Sequence, residues 1–207
     1  MDHNNMAEKT IEQHRHVAAA SVADHVEYVR QFDPEHPELV NTDGTHKLSD
    51  RWVLWSHAHD NQGWRLEDYR KHAVISTVEE FWDIFNGTPS MLNRDWWFIM
   101  REGIPPLWEA AVNKEGGSFK FRVPGNNADN TWLTLAIHLV TENMCMEPRD
   151  AQLISGISFS PKRGNYATIS VWNLDRMHTE YAIFPSNING VDFNMSRYEA
   201  HCDRKCG

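Results

Sequence analysis

Between Ser118 and Val123 the chain alternates without a break. Phe119, Phe121 and Val123 are apolar, while Ser118, Lys120 and Arg122 are polar or cationic. A period of two sends the apolar groups to one face of a strand and the cations to the other. Such a strand belongs in a sheet with a single covered face, and the rest of the chain repeats strand signals. Residues 51–57 (Arg-Trp-Val-Leu-Trp-Ser-His) and 96–101 are rich in aromatic and branched side chains. Residues 153–160 and 166–173 flank Pro161-Lys162-Arg163-Gly164-Asn165, which reads as a hairpin with a basic tip. Residues 188–198 are a further strand candidate. Many strands with few helices predict an α+β fold, one sheet covered on one side.

Helical periodicity is confined to short windows. Residues 77–86 open with a capping box, Thr77 to Glu80, and stop at Gly87. Residues 128–142 form a second helix, and a third is expected near 174–182. The second carries two apolar stripes: Trp132, Leu135, Ala136 and Leu139 on one side, Leu133, Ile137 and Val140 on another. One stripe docks a helix on a sheet. In the first helix Phe81, Ile84 and Phe85 can face the sheet, which leaves Val78 and Trp82 on another side. Apolar surface left over on two helices predicts a protein-binding strip. The alternative is that the tail or a neighbouring loop buries both stripes.

Residues 1–45 read as a flexible tail rich in His, Glu, Asp and Asn. Val22, Val26 and Val29 fit a short partner-induced helix there, and 46–207 is the expected folded domain. No apolar run approaches the length of a membrane helix and no signal peptide opens the sequence, so a cytoplasmic protein is expected. Three cysteines are too few for a disulfide framework. The net charge of −9 excludes a protein that tracks a nucleic-acid backbone over a broad surface; a nucleic-acid ligand must be held in a small site. Nothing resembles a nucleophile–base motif, a glycine-rich phosphate loop or metal-ligand spacing, so no enzyme, cofactor or metal is expected. His201-Cys202 with Cys206, or His57 with His59, are the nearest approach to a zinc site, in a chain with 12 histidines.

Nine tryptophans in 207 residues are a surplus, and two stand on loops. Trp64 follows the turn-like Asn61-Gln62-Gly63. Trp108-Glu109 follows Gly103-Ile104-Pro105-Pro106-Leu107, stiffened by two prolines. An indole can stack on a base, and a neighbouring carboxylate can accept two hydrogen bonds from the N1–H and N2–H of guanine. Sugars also stack on tryptophan, so a carbohydrate-binding module is a rival at this point.

The full set of segments discriminates. His46-Lys47-Leu48 is followed by Arg51-Trp52-Val53-Leu54-Trp55, then Ser76-Thr77-Val78-Glu79-Glu80-Phe81-Trp82. Gly103 to Glu109, Asn113-Lys114-Glu115-Gly116-Gly117, Thr131-Trp132-Leu133 and Val171-Trp172 come after. In order and spacing these resemble the eukaryotic translation initiation factor 4E family over more than half of the chain. The resemblance implies a curved antiparallel sheet of about eight strands with about three helices on its convex back. It implies that the cap of messenger RNA lies in the concave face, with Trp64 and Trp108 as stacking walls and Glu109 on the guanine N1–H and N2–H. Trp172 is implied at the N7 methyl, and basic groups of the 157–172 hairpin at the phosphates. His46, Val78, Trp82, Leu133 and Ile137, with Val140 on the same stripe, match a surface that receives a Tyr-x-x-x-x-Leu-Φ helix. The partner implied is an initiation scaffold protein of the 4G type or a 4E-binding repressor. No membrane contact is implied, and a monomer is expected.

Departures concern the phosphates and the partner. An arginine usual after Gly-Gly is Ser118 here, and a lysine four residues before Trp172 is Thr168. Lys162 and Arg163 are left to share the phosphate role, with Lys120, Arg122, Arg204 or Lys205 helping. An acid that usually follows the dorsal leucine is Thr134, and the region after Trp172 is short for the family. A divergent paralogue is expected, with the role of a cap-sequestering repressor or specialised messenger ribonucleoprotein component as the alternative to initiation.

Overall fold

The structure is a computed structural model that describes residues 45–87 and 95–203. The tail, all but Thr45, and the candidates Arg204 and Lys205 lie outside the described residues. The strands are β1 (Lys47–His57), β2 (Tyr69–Thr77), β3 (Trp96–Arg101), β4 (Gly117–Pro124), β5 (Ile154–Lys162), β6 (Tyr166–Asn173) and β7 (Ser196–Ala200). They form one seven-stranded sheet in the order β2-β1-β3-β5-β6-β4-β7, each pair antiparallel. The helices are α1 (Val78–Gly87), α2 (Ala111–Lys114), α3 (Ala128–Val140) and α4 (Pro148–Ala151).

The alternation in β4 does what its period requires. Phe119, Phe121 and Val123 are at most 1% exposed and join the main core beneath the helices. That core takes in Leu135, Ala136 and Leu139 of α3, Phe81 of α1, Trp52 and Leu54 of β1, and Ile157, Ile169 and Val171 of β5 and β6. The capping box forms in both directions: the Glu80 amide donates to Thr77 Oγ1 at 3.1 Å, and the Thr77 amide to Glu80 Oε2 at 3.1 Å. The hairpin turn is built from Asn165 and Gly164, both at positive φ, where an L side chain other than Asn or Asp is disfavoured.

Several expectations change. Seven strands stand among the described residues where about eight were expected, and β2 is one the periodicity did not announce. It is an edge strand with Arg70, Lys71 and His72 consecutively exposed, and a register shift opposite Leu54/Trp55 breaks its alternation. The helix expected near 174–182 is absent. Asp175 instead accepts from the Met177 amide, and only a 3₁₀ turn, Tyr181–Ile183, forms. The candidate strand at 188–198 narrows to Ser196–Ala200 after a 3₁₀ turn at Phe193–Met195. Val140 is not on an outward stripe: it is 3% exposed in the last turn of α3, packed into the main core.

Candidate functional site

The face of the sheet away from α3 carries a second, smaller apolar cluster. Tyr69 of β2, Phe98 and Met100 of β3 and Trp172 of β6 are buried there. Trp55, Trp96, Ile104, Leu107 and Trp108 pack against them, partly exposed. Strands two apart in the sheet bring these rings into edge contact: Tyr69 with Phe98 at 5.4 Å, Phe98 with Trp172 at 6.2 Å.

Trp64 stands at the rim. It is 45% exposed, one of the few large apolar side chains that open to solvent. One of its faces is taken: the His57 ring lies flat against it, centroids 4.3 Å apart and planes 4° from parallel. Trp96 meets it at 4.8 Å and Tyr69 edge-on at 6.4 Å. His57 is fully buried at the end of β1, and its Nε2–H donates to the Gly63 carbonyl at 2.6 Å. The loop before Trp64 is tied from its own side chains. Asn61 Oδ1 accepts from the Gly63 amide at 2.9 Å, and Asp68 Oδ2 from the Arg65 amide at 2.9 Å. A Cβ at Gly63 would sit 2.3 Å from Asp68 Oδ2, so a larger residue there would displace the Asp68 carboxylate that accepts from the Arg65 amide. The indole thus presents its other face to solvent on a braced loop.

Trp108 belongs to a second braced loop. Gly103, at φ +86, makes the turn after β3, where the Ile104 amide donates to the Arg101 carbonyl at 3.0 Å. The Asn113 side chain, fully buried, then donates from Nδ2 to the carbonyls of Pro105 (2.9 Å) and Leu107 (2.8 Å). The Asn113 backbone carbonyl accepts from His201 Nδ1 at 2.8 Å, which anchors the loop to the chain beyond β7. Glu109 is exposed beside Trp108, and its carboxylate has no hydrogen-bond or ion-pair partner among the described residues.

Trp172, which the resemblance implies at the N7 methyl, lies within this cluster. It is 4% exposed, its indole N–H donates to Ser158 Oγ at 2.9 Å, and the His201 ring lies against it at 4.8 Å. It floors the cluster instead of standing on it, because those partners and Phe98 cover it.

The basic residues divide. Lys120 and Arg122 line a groove with Tyr166, Thr168, Met195 and Arg197. Arg197 has no counterpart among the sequence candidates. Burial, and then the Arg197 guanidinium, hold the Lys162 ammonium below the usual lysine range. Arg163 is exposed in the turn between β5 and β6.

On the helix-covered face, Trp82, Leu133 and Ile137 are partly exposed and pack on the main core. Val78 is also partly exposed. His46 is held to α1 by two bonds to Glu79, from its amide (2.9 Å) and from Nδ1 (2.8 Å). Burial, the largest single influence on Glu79, acts to raise its pKa, but the His46 bonds together outweigh it and the carboxyl ends below its ordinary value. Among the described residues no three His, Cys, Asp or Glu side chains converge as a metal would need, and no helix is long and apolar enough to cross a membrane.

The sequence placed His57 on a strand and beside His59, and Asn113 in a family segment, but gave neither a role in bracing the tryptophan loops. Both are fully buried polar residues that bond loop carbonyls six to eight positions away, and a polar residue six to eight positions from the loop it braces is the signal that hints at them.

Residues 47–199 match the family described as eukaryotic initiation factor 4E. Eukaryotic translation initiation factor 4E of Eremothecium gossypii is 30% identical over 154 residues, 68% of this chain and 70% of that protein. Factor 4E-1 of Schizosaccharomyces pombe is 29% identical over 142 residues, 65% of this chain; the match spans 63% of that relative's length. Among solved structures, the complex of C. elegans eIF4E-3 with the 4E-binding protein Mextli and a cap analog superposes with a TM-score of 0.63. It is 24% identical and covers 77% of this chain and 94% of that one. Ascaris suum eIF4E-3 with an m2,2,7G cap gives 0.62 at 22% identity, covering 79% and 95%. At these identities the structural likeness is one of fold.

Proposed function

Because this chain belongs to the eukaryotic initiation factor 4E family, we propose that it binds the N7-methylguanosine cap of messenger RNA between Trp64 and Trp108. In this reading it is a cytoplasmic binding protein, not an enzyme, and its partly exposed helix face takes a Tyr-x-x-x-x-Leu-Φ helix from an initiation scaffold or a repressor. The observation that carries the reading is the pair of braced loops. Each presents a tryptophan at the edge of one aromatic cluster, and the second also presents an unpaired carboxylate at Glu109.

The chemistry follows from the ligand's charge. Methylation at N7 makes the purine a cation, and a cation over an indole face gains about 0.5–2 kcal/mol. Stacking of the base adds roughly 1–3 kcal/mol. Glu109 accepts from N1–H and N2–H in charge-assisted bonds, which disfavours adenine because adenine has no N1–H. His57 contributes by holding the inner face of Trp64, so that only the outer face is offered to ligand. Trp172 forms the floor beneath the two walls, and Lys162, Arg163, Lys120 and Arg122 supply positive potential toward the phosphates.

The test is tryptophan fluorescence during titration with N7-methylated and unmethylated guanosine diphosphate. Quenching is expected at concentrations at least tenfold lower for the methylated form, since the cation contribution is lost on both walls at once. Equal titration by both nucleotides, or no quenching by either, refutes the proposal.

A further inference from the structure

Cross-strand pairing sets the side chains opposite α3 into rows that run across β5, β6, β4 and β7. The first row is Gly156–Trp172–Ser118–Glu199 and the second Ser158–Ser170–Lys120–Arg197. The third is Ser160–Thr168–Arg122, and the fourth Lys162–Tyr166–Pro124. Antiparallel strands rise about 3.4 Å per residue, so Arg122 lies roughly 14 Å, and Lys162 roughly 20 Å, along the strands from the Trp172 row. The groove of Lys120, Arg122, Tyr166, Thr168, Met195 and Arg197 occupies that stretch and encloses about 240 Å³.

Its charge is unlike that of the chain as a whole. Lys120, Arg122 and Arg197 line it, with Lys162 at its margin, and Glu199 is the carboxylate beside Lys120 and Arg197 among the described residues. That carboxylate pairs with Lys120 and lies 3.8 Å from Arg197. In a protein of net charge −9, cations gathered along one groove repel one another unless a polyanion offsets them. Burial first, and then the nearby Arg197 guanidinium, depress the basicity of Lys162. The guanidinium of Arg122 lies 4.2 Å over the Tyr166 ring, a planar surface of the kind on which unpaired bases stack. An acidic peptide has no use for that plane; a single-stranded nucleic acid does.

We propose that this groove holds the ribose–phosphate backbone of the nucleotides that follow the cap, with Arg197 and Arg122 as its principal phosphate contacts. The proposal rests on the cap-binding reading above and adds to it a second subsite for the body of the RNA. It also bears on the departures at Ser118 and Thr168: Lys120 and Arg197 stand one row beyond Ser118, and Arg122 stands beside Thr168 in the next.

The experiment compares three ligands by equilibrium titration of the full chain at low and moderate salt. They are N7-methylated guanosine diphosphate, a capped oligoribonucleotide of about ten nucleotides, and the same oligonucleotide uncapped. Two phosphate contacts predict that the capped oligonucleotide binds about tenfold tighter than the diphosphate at low salt, and that salt erodes this gain. Arg197→Glu is expected to abolish the gain while the diphosphate still binds within twofold of wild type, which also reports that the variant is folded. Arg122→Glu is expected to reduce the gain and the affinity for the uncapped oligonucleotide.

The proposal is overturned if length confers no gain or if the gain survives both substitutions. It is also overturned if Arg197→Glu weakens the diphosphate as much as the oligonucleotide, which assigns the groove to the cap's own phosphates. Should the methylated diphosphate not bind at all, the cap reading fails separately. The uncapped oligonucleotide still tests the groove in that case: binding that depends on Arg122 and Arg197 upholds it, and none overturns it.

Discussion

Asn113→Ala removes two hydrogen bonds at once without touching either tryptophan. The Asn113 amide group donates to the carbonyls of Pro105 and Leu107 from a position with no solvent exposure. The Leu107 carbonyl keeps the Ala110 amide as a donor at 3.2 Å and gives up one net hydrogen bond, about 1 kcal/mol, whereas the Pro105 carbonyl loses its donor at about 1–3 kcal/mol, so the variant loses roughly 2–4 kcal/mol. That loss has two ways to appear. If the loop keeps its place, the whole domain is destabilised, and the melting temperature falls by about 5–15 °C at roughly 2–4 °C per kcal/mol. If the loop detaches, water satisfies the carbonyls and global stability changes little. Ligand binding must then reorder Trp108 and Glu109, and the apparent affinity falls by the fraction of loop still in place, about 30-fold for 2 kcal/mol. Denaturant unfolding and titration with N7-methylated guanosine diphosphate, run on the same variant, measure the two parts. Their sum should reach about 2 kcal/mol. Asn113→Asp, which sets a carboxylate against two carbonyl oxygens, should lose at least as much. If stability and affinity both stay within about 0.5 kcal/mol of wild type, the bracing of this loop by Asn113 is refuted.

Glu109→Ala should weaken cap affinity by about 1.5–3 kcal/mol, tenfold or more, with an unchanged melting temperature because the side chain is exposed; a titration and a melt decide it. His57→Phe keeps a ring against Trp64 but gives up the bond to the Gly63 carbonyl, whereas His57→Ala loses both. Affinity should therefore fall in the order wild type, Phe, Ala, and an alanine variant that binds as well as wild type contradicts the role of the stack. Trp82→Ala should leave cap affinity near wild type and abolish capture of a Tyr-x-x-x-x-Leu-Φ peptide. Loss of both activities would instead make Trp82 a residue of the fold. Burial is the largest influence on Glu80 and acts to raise its pKa, but bonds from Ser76 and Thr77 outweigh it and hold the carboxyl below its ordinary value. Its stabilising contribution is therefore complete above the ordinary glutamate range and lost as pH falls through the depressed value. Glu80→Gln should flatten the acid limb of the stability–pH curve, as followed by thermal melts.

Features that depend on near neighbours were legible without coordinates. The capping box at Thr77–Glu80, the two-residue period of 118–123 and the turn at Gly164-Asn165 are local: the backbone geometry each requires is set by residues within four positions. The loop tryptophans Trp64 and Trp108 were legible for the same reason, since glycine and proline mark the loops that carry them. Other features depended on contacts that sequence separation hides. Only the folded sheet brings Arg197 of β7 beside Lys120 of β4, 77 positions away in sequence, and only the fold sets Phe98 and His201 against Trp172. The period of α3 placed Val140 on an outward stripe, but the end of the helix and the core beneath it decided otherwise. The sequence alone determined which residues can stack, cap and alternate, because those properties belong to side chains and their nearest neighbours. Which of them meet, and which face stays open to a ligand, was decided by long-range pairing, because burial is a property of the whole fold and of no single segment.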